Sequence, residues 1–411
     1  MMTRHPLDVQ KIRQDFPMLK QTMHGKPLIY FDSSATSQKP QCVIDTIQNF
    51  YQNHYSTVHR AVYELAVHAT QHYQGVREKV RHFLNAEKVE EIIFTRGTTD
   101  SINLIASSFG KAFIQAGDEI IISEIEHHAN IVPWQMMCEE GGARLKVIPV
   151  DENGNLLLDI FDHLLTSKTR LVAITHIANS IGTVNPIQEI IERSHEKGAK
   201  VLVDGAQAAP HIKINVQDLD ADFYVFSGHK LYGPTGIGVL YGKEDLLNQM
   251  PPYQGGGDMI DQVTFEKTSY NTLPLKFEAG TPLIAEVLGL GAAIDYVQNI
   301  GLDVIHQHEQ ELLRYATEQM QAIKGLHIIG HAYEKAAIIS FIVDGIHPLD
   351  IGTMLDLKGV AIRTGHHCAQ PTMKRFCVPA MARVSFGLYN TKEEIDRFIV
   401  YLKEVIQLLC V

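Results

Sequence analysis

Between residues 91 and 245 the chain alternates short apolar runs with stretches whose apolar positions recur at helical spacing. "EEIIFT" leads into "RGTTDSINLIASSFGKAF", and "DEIIIS" into "EIEHHANIVPWQMMCEE". "TRLVAITHI" precedes "ANSIGTVNP" and the helix-like "IQEIIERSHEKG", and "AKVLVDGAQ" and "ADFYVFSGHK" follow at similar intervals. This is the pattern of βα units around a mainly parallel sheet flanked by helices. From about residue 283 the rhythm changes. An amphipathic helix is predicted over "GLDVIHQHEQELLRYATEQMQAI" and a strand over "AAIISFIV". "PLDIGTMLDLKG", "VAIRTGHHCAQ" and "ARVSFGLYN" follow, and then a last helix, "TKEEIDRFIVYLKEVIQLL". Thr391 and Glu394 open that helix with the spacing of a capping box. The expected class is therefore α/β: a large domain over 28–282, and a smaller α/β domain built from 1–27 and 283–411.

Composition narrows the picture. At 411 residues, 45% apolar and 20% charged, the chain has the make-up of a globular protein with a large core. A formal charge of −11 argues against a nucleic-acid backbone or an anionic membrane as the main partner. Five cysteines without paired spacing do not form a disulfide framework, and reduced thiols in a cytoplasm fit better. No apolar run approaches the ~20 residues that span a bilayer, and "MMTRHPLDVQKIRQDFPML" has no apolar core of signal-peptide length.

The polar residues that look out of place all fall just after the apolar runs, where open α/β sheets bind ligands. "FSGHKLYGPTG" delivers Lys230 into a glycine-rich turn, although lysine avoids interiors. Asp204 ends another run, with Gln207 three residues later. A lysine that forms a Schiff base, paired with a carboxylate that keeps a pyridinium nitrogen protonated, is the pairing that pyridoxal phosphate requires. Gly97, Thr98 and Thr99 stand at a strand-to-helix junction suited to a phosphate, to which Ser227 and His229 could add donors. Of His127 and His128, one could stack on a planar ring and shuttle protons; a metal site is disfavoured, since no acidic or thiol ligand sits at helical spacing beside the pair. "VAIRTGHHCAQP" places Cys368 behind two histidines and near Arg363, a setting for a reactive thiol, and Arg383 suits a carboxylate clamp. Cys377 reads as a packed or partly exposed bystander, and Cys42, Cys138 and Cys410 as structural.

The chain resembles the pyridoxal-phosphate enzymes of the class V aminotransferase family, and within them the SufS-like cysteine desulfurases. The resemblance is carried by "YFDSSATSQKP", "FTRGTTDSINLIA", "HHANIVPWQ", "VDGAQAAPH", "FSGHKLYGPTGIGVLYG", "FEAGTP" and "RTGHHCAQP". It implies the aminotransferase fold type I, with Lys230 as the Schiff-base lysine, Asp204 on the pyridinium nitrogen, Gln207 on the ring hydroxyl and His127 on the ring face. It further implies Thr99, Ser227 and His229 around the phosphate, and Thr281 reaching the cofactor of the other subunit of a homodimer. Asn179 and Arg383 would bind the substrate carboxylate, with Arg363 nearby, and Cys368 would accept sulfur from L-cysteine. Asp100 stands where relatives are expected to carry glutamate, and Leu349 where those serving a zinc-bearing SufU-like acceptor would carry histidine, which favours a SufE-like acceptor. The rival readings are a selenocysteine lyase, a transaminase of the same fold, and a non-catalytic metal-binding protein.

Overall fold

The computed structural model describes residues 7–409. Seven runs pair into one sheet: β1 (Ile92–Thr95), β2 (Glu119–Ser123), β3 (Arg144–Ile148), β4 (Thr169–Thr175), β5 (Lys200–Asp204), β6 (Phe223–Ser227) and β7 (Gly238–Gly242). Their spatial order is β1-β7-β6-β5-β4-β2-β3. All neighbours are parallel except β7, which runs against both β1 and β6. Every residue of β6 is buried, because both faces of the sheet are covered. Tyr224 and Phe226 face one core, and Phe223 and Val225 face another that holds Ile102, Phe109 and Trp134. Two covered faces are why the strand reads as a continuous apolar run rather than an alternating one.

A second sheet joins β8 (Leu326–Ile329), β9 (Ile338–Val343), β10 (Arg363–Gly365) and β11 (Met381–Ser385) in the order β8-β9-β11-β10, all antiparallel. Its core takes Leu312 and Ala316 from the helix Leu302–Gln321, Ile395, Phe398 and Leu402 from the helix Lys392–Leu409, and Ile29 and Phe31 from the N-terminal segment. That segment pairs in parallel with Val360–Ala361 before it crosses to the large sheet. The crossing carries Asp32 to Lys39 between the two units. The last helix opens with reciprocal bonds: Glu394 N–H donates to Thr391 Oγ1 at 3.2 Å, and Thr391 N–H to Glu394 Oε2 at 3.1 Å.

One element was not foreseen. The helix Ile284–Ile300 buries Ile284, Val287, Leu290, Ile294 and Val297 in the core behind the large sheet, against the helices Gln41–Asn49 and Glu64–Leu84. Its apolar residues lie nearly all round, so it has no stripe to read at helical spacing. The change of character near 283 therefore marks the start of this helix, and the helical contribution to the second core begins later, at Leu312. Two glycines are dictated by contact. A Cβ on Gly238 would meet Gly97 Cα at 2.4 Å, and one on Gly205 would meet the Tyr224 ring at 2.0 Å. Both close approaches underlie the ligand-binding edge.

Cys42 is exposed on its helix, and Cys138 is half-buried and packs against the core that holds Ile102, Phe109 and Trp134. Cys377 is exposed, and Cys410 lies outside the described residues. Among the described residues no helix is long and apolar enough to cross a membrane.

Candidate active site

β6 ends at Ser227 and turns at once through Gly228–Lys230. The carbonyl of His229, just before the lysine, gathers four donors from the crossing segment: Ser37 N–H at 3.1 Å, Ser37 Oγ at 3.1 Å, Thr36 Oγ1 at 3.1 Å and Lys39 Nζ at 2.7 Å. Tyr232 N–H donates to Ser37 Oγ at 2.8 Å. The turn is pinned from outside, and its lysine points where the sheet opens. Burial pushes the Lys230 amine down to about 8, opposed by the charge of Asp204 and reinforced by that of Arg383.

Asp204 ends the neighbouring β5 and is 4% exposed. Its Oδ1 accepts from Ala206 N–H at 3.0 Å, and burial raises its pKa. Gln207 donates through Nε2 to the Ser34 carbonyl at 2.6 Å, which leaves Oε1 buried without a partner. Across the edge, Gly97 caps the helix Thr98–Phe113 with φ at +149°. Ser227 Oγ accepts from Thr98 N–H at 2.9 Å and lies 2.8 Å from Thr98 Oγ1. A helix N-terminus lined with hydroxyls, with His229 on the same wall, has the chemistry of an anion site. Asp100, in the first turn of the same helix, reaches back over its start: its Oδ2 accepts from Arg96 N–H at 3.1 Å.

The structure separates the two histidines that the sequence left together. His127 lines the cavity, and its Nδ1 accepts from Ala129 N–H at 3.0 Å, so the neutral ring carries its proton on Nε2. Burial, helped by the Lys230 charge, lowers it to about 4. His128 instead holds the cysteine loop. Its N–H donates to the Cys368 carbonyl at 2.7 Å, and its Nε2 accepts from Gln370 N–H at 3.1 Å.

That loop has two successive non-glycine residues in the left-handed region, His367 at φ +52° and Cys368 at φ +54°. Such a pair is unusual and needs external bonds to persist. Besides His128, Asn179 Nδ2 donates to the His367 carbonyl at 2.7 Å. Arg383 NH1 donates to the Asn179 carbonyl at 2.9 Å, and Arg383 Nε is buried without a partner. Cys368 itself is exposed.

Lys230, Asp204, Gln207, His127, Thr98, Thr99, Ser227, His229, Asn179, Arg363, Arg383 and Cys368 all line one cavity of about 260 Å³. Thr281 does not. It is exposed and lines a second cavity with Arg96, Asp100, Tyr253 and Gly280. Sequence reading missed Asp32, Ser34, Lys39 and His367. Their signal was the stretch "FDSSATSQK", polar after a short strand, but only the fold shows that it crosses onto the lysine turn. Among the described residues no group of three or more His, Cys, Asp and Glu is arranged to hold a metal.

The aminotransferase class-V model matches residues 29–398. The chain belongs to the aminotransferase class-V family. It is 54% identical to a cysteine desulfurase of Enterobacter sp. over 98% of this chain and 99% of that one. It is also 53% identical to a probable cysteine desulfurase of Mycobacterium leprae and 50% identical to a cysteine desulfurase of Synechococcus elongatus. These matches cover 97% of this chain but only 65% and 64% of those relatives' lengths. Among solved structures, the Escherichia coli cysteine desulfurase CsdA in an S-sulfonic acid form superposes with a TM-score of 0.92 at 37% identity, covering 98% of this chain and 100% of that one. A cysteine desulfurase of Thermococcus onnurineus gives 0.93 at 36%, covering 99% and 100%. Pyridoxal phosphate is the cofactor of this class V fold, and the cavity fits it. The orphaned Gln207 Oε1, the buried Asp204 carboxyl, the lysine amine and the hydroxyl-lined helix start match a ring hydroxyl, a ring nitrogen, an aldehyde and a phosphate.

Proposed function

We propose that this protein is a pyridoxal-phosphate-dependent cysteine desulfurase that releases alanine from L-cysteine and keeps the sulfur as a persulfide on Cys368. The observation that carries the reading is the meeting, in one cavity, of a half-buried lysine, a buried aspartate, a buried arginine and an exposed thiol. A transaminase needs the first three but has no use for the fourth.

Pyridoxal phosphate, when bound, supplies an electron sink for the pair left when the substrate loses its Cα proton. Asp204 would face its ring nitrogen, Gln207 its hydroxyl and His127 its ring face, while Thr98, Thr99, Ser227 and His229 would hold its phosphate. Lys230 Nζ takes the Cα proton; an amine lowered to about 8 supplies a neutral fraction near neutral pH without a second base. His127, neutral down to about 4, suits stacking through its face, so proton traffic falls to Lys230. Arg383, with Nε unpaired, and Asn179, with Oδ1 unpaired, hold the substrate's carboxylate and amine side. Cys368 Sγ attacks the substrate sulfur, the Cβ–S bond breaks, and a proton returned to carbon completes alanine.

The exposed loop then presents the persulfide to an acceptor, which we infer to be SufE-like. Leu349 offers that partner an apolar side chain, and Nδ1 of the nearby His347 is taken up in accepting from Leu349 N–H. A homodimer would complete the phosphate site through Thr281. The four described cysteines are all free, which suits a reducing cytoplasm. The test is alanine release and the visible spectrum of the holoenzyme with L-cysteine and a thiol acceptor, for wild type and Cys368→Ala. The variant should still change colour with cysteine but release no alanine beyond background. Sustained turnover in the variant would remove Cys368 from the mechanism.

A further inference from the structure

His229 borders the cavity on its phosphate side, together with Thr98, Thr99 and Ser227. Burial and the charges of Lys230 and Lys39 keep its ring neutral down to about 4. A neutral imidazole carries one proton, so one ring nitrogen donates and the other accepts. Only the donor can bond the oxygens of a phosphate dianion. Which nitrogen that is depends on Thr36 Oγ1, which lies 3.2 Å from Nδ1. Among the described residues Nε2 has no hydrogen-bond partner.

The Thr36 hydroxyl has one proton and two places to send it: Nδ1, or the His229 carbonyl at 3.1 Å. That carbonyl has two lone pairs and three other donors, Lys39 Nζ at 2.7 Å, Ser37 N–H at 3.1 Å and Ser37 Oγ at 3.1 Å. The Ser37 hydroxyl proton is free for this bond, because its oxygen already accepts from Tyr232 N–H. The carbonyl is therefore satisfied without Thr36. Thr36 is itself held at its backbone: its N–H donates to the Asp32 carbonyl at 3.3 Å, and its carbonyl accepts from Tyr30 Oη at 2.8 Å. Arg96 and Asp100, which border the phosphate side of the cavity, pair with each other at 3.4 Å and leave the ring to Thr36. We propose that Thr36 is a positioning residue for the cofactor's phosphate. Its hydroxyl donates to Nδ1 and so fixes the His229 tautomer with the proton on Nε2, the nitrogen without a protein partner, as a donor to the anion. This deepens the reading of the cavity as a pyridoxal-phosphate site and rests on it.

The experiment measures the binding of pyridoxal phosphate, and of pyridoxal, which lacks the phosphate, to the cofactor-free protein. Wild type, Thr36→Ser and Thr36→Val are compared. The two ligands share the aldehyde and the ring, so general damage to the pocket weakens both. In Thr36→Val the preference for pyridoxal phosphate over pyridoxal should fall about tenfold, while Thr36→Ser keeps it. An unchanged preference in the valine variant, or an equal fall in the serine variant, would overturn the proposal. The phosphorus resonance of the bound cofactor gives a second readout. A phosphate monoester loses its second proton near ~6. A donor on Nε2 holds the dianion, whereas a lone pair there favours the protonated phosphate. The resonance should therefore stay fixed between about pH 6 and 8 in wild type and Thr36→Ser, and move with pH in Thr36→Val. A resonance that stays fixed in Thr36→Val would overturn the proposal. A wild-type protein that binds pyridoxal phosphate no more tightly than pyridoxal would instead remove the phosphate site itself, and the proposal with it.

Discussion

The lysine turn and the cysteine loop meet in one cavity but are built in opposite ways. Lys230 follows a wholly buried strand, and the carbonyl beside it takes four donors from a segment nearly two hundred residues away in sequence. Cys368 sits on an exposed loop with two left-handed residues, tied down by His128 and Asn179 at its backbone only. The first arrangement fixes an amine against a rigid sheet edge, as Schiff-base chemistry requires. The second leaves a side chain free while holding its backbone, as a thiol needs that must reach inward for sulfur and outward to an acceptor. One site thus divides its labour between a fixed group and a presented one.

The comparison breaks most severely at the fixed end. Lys230→Ala should lower alanine release by roughly 10³-fold or more, since it removes both the attachment point and the base. Added amine should recover only a part of that. A variant that retains near-normal turnover would show that the pinned turn serves the fold and not the reaction.

Much of this end could be read from the chain, and the reason is local. Lys230, Asp204, His127 and Thr98 each follow an apolar run directly, so strand-end chemistry is written in adjacent residues. What escaped reading depends on distance or on symmetry of burial. Asp32 meets Arg363 across 331 positions, and nothing near either residue announces it. The helix Ile284–Ile300 is apolar on nearly all sides and shows no period. His127 and His128 are chemically the same in sequence, and only the path of the Cys368 loop tells them apart.

A smaller effect sharpens the contrast in burial. His127, His229 and His176 are each held near about 4 by burial, with the Lys230 charge contributing for the first two. An unfolded histidine titrates near ~6.5. Between about 6.5 and 4 the unfolded chain binds protons that these three folded histidines refuse, so their contribution to the stability of the cofactor-free protein is lost as pH drops through that window. Thermal unfolding across this range checks the slope. His176, whose ring Nδ1 lies 3.0 Å from Tyr224 Oη, contributes one of these protons, and His176→Gln should flatten the slope by about one proton.

The smallest effect is expected at the presented end. Cys377 is exposed, nine residues beyond Cys368, and does not line the cavity. Cys377→Ser should change alanine release by less than about twofold, as for an ordinary surface substitution. A large loss would mean that sulfur passes through a second thiol.

The most direct measurement of the central claim is the mass of the holoenzyme after L-cysteine is added without an acceptor, followed by peptide mapping. The account predicts one extra sulfur atom on the peptide containing Cys368, formed together with one alanine and absent from Cys368→Ala. Alanine formed with no sulfur on Cys368, or with the sulfur on another cysteine, would contradict it.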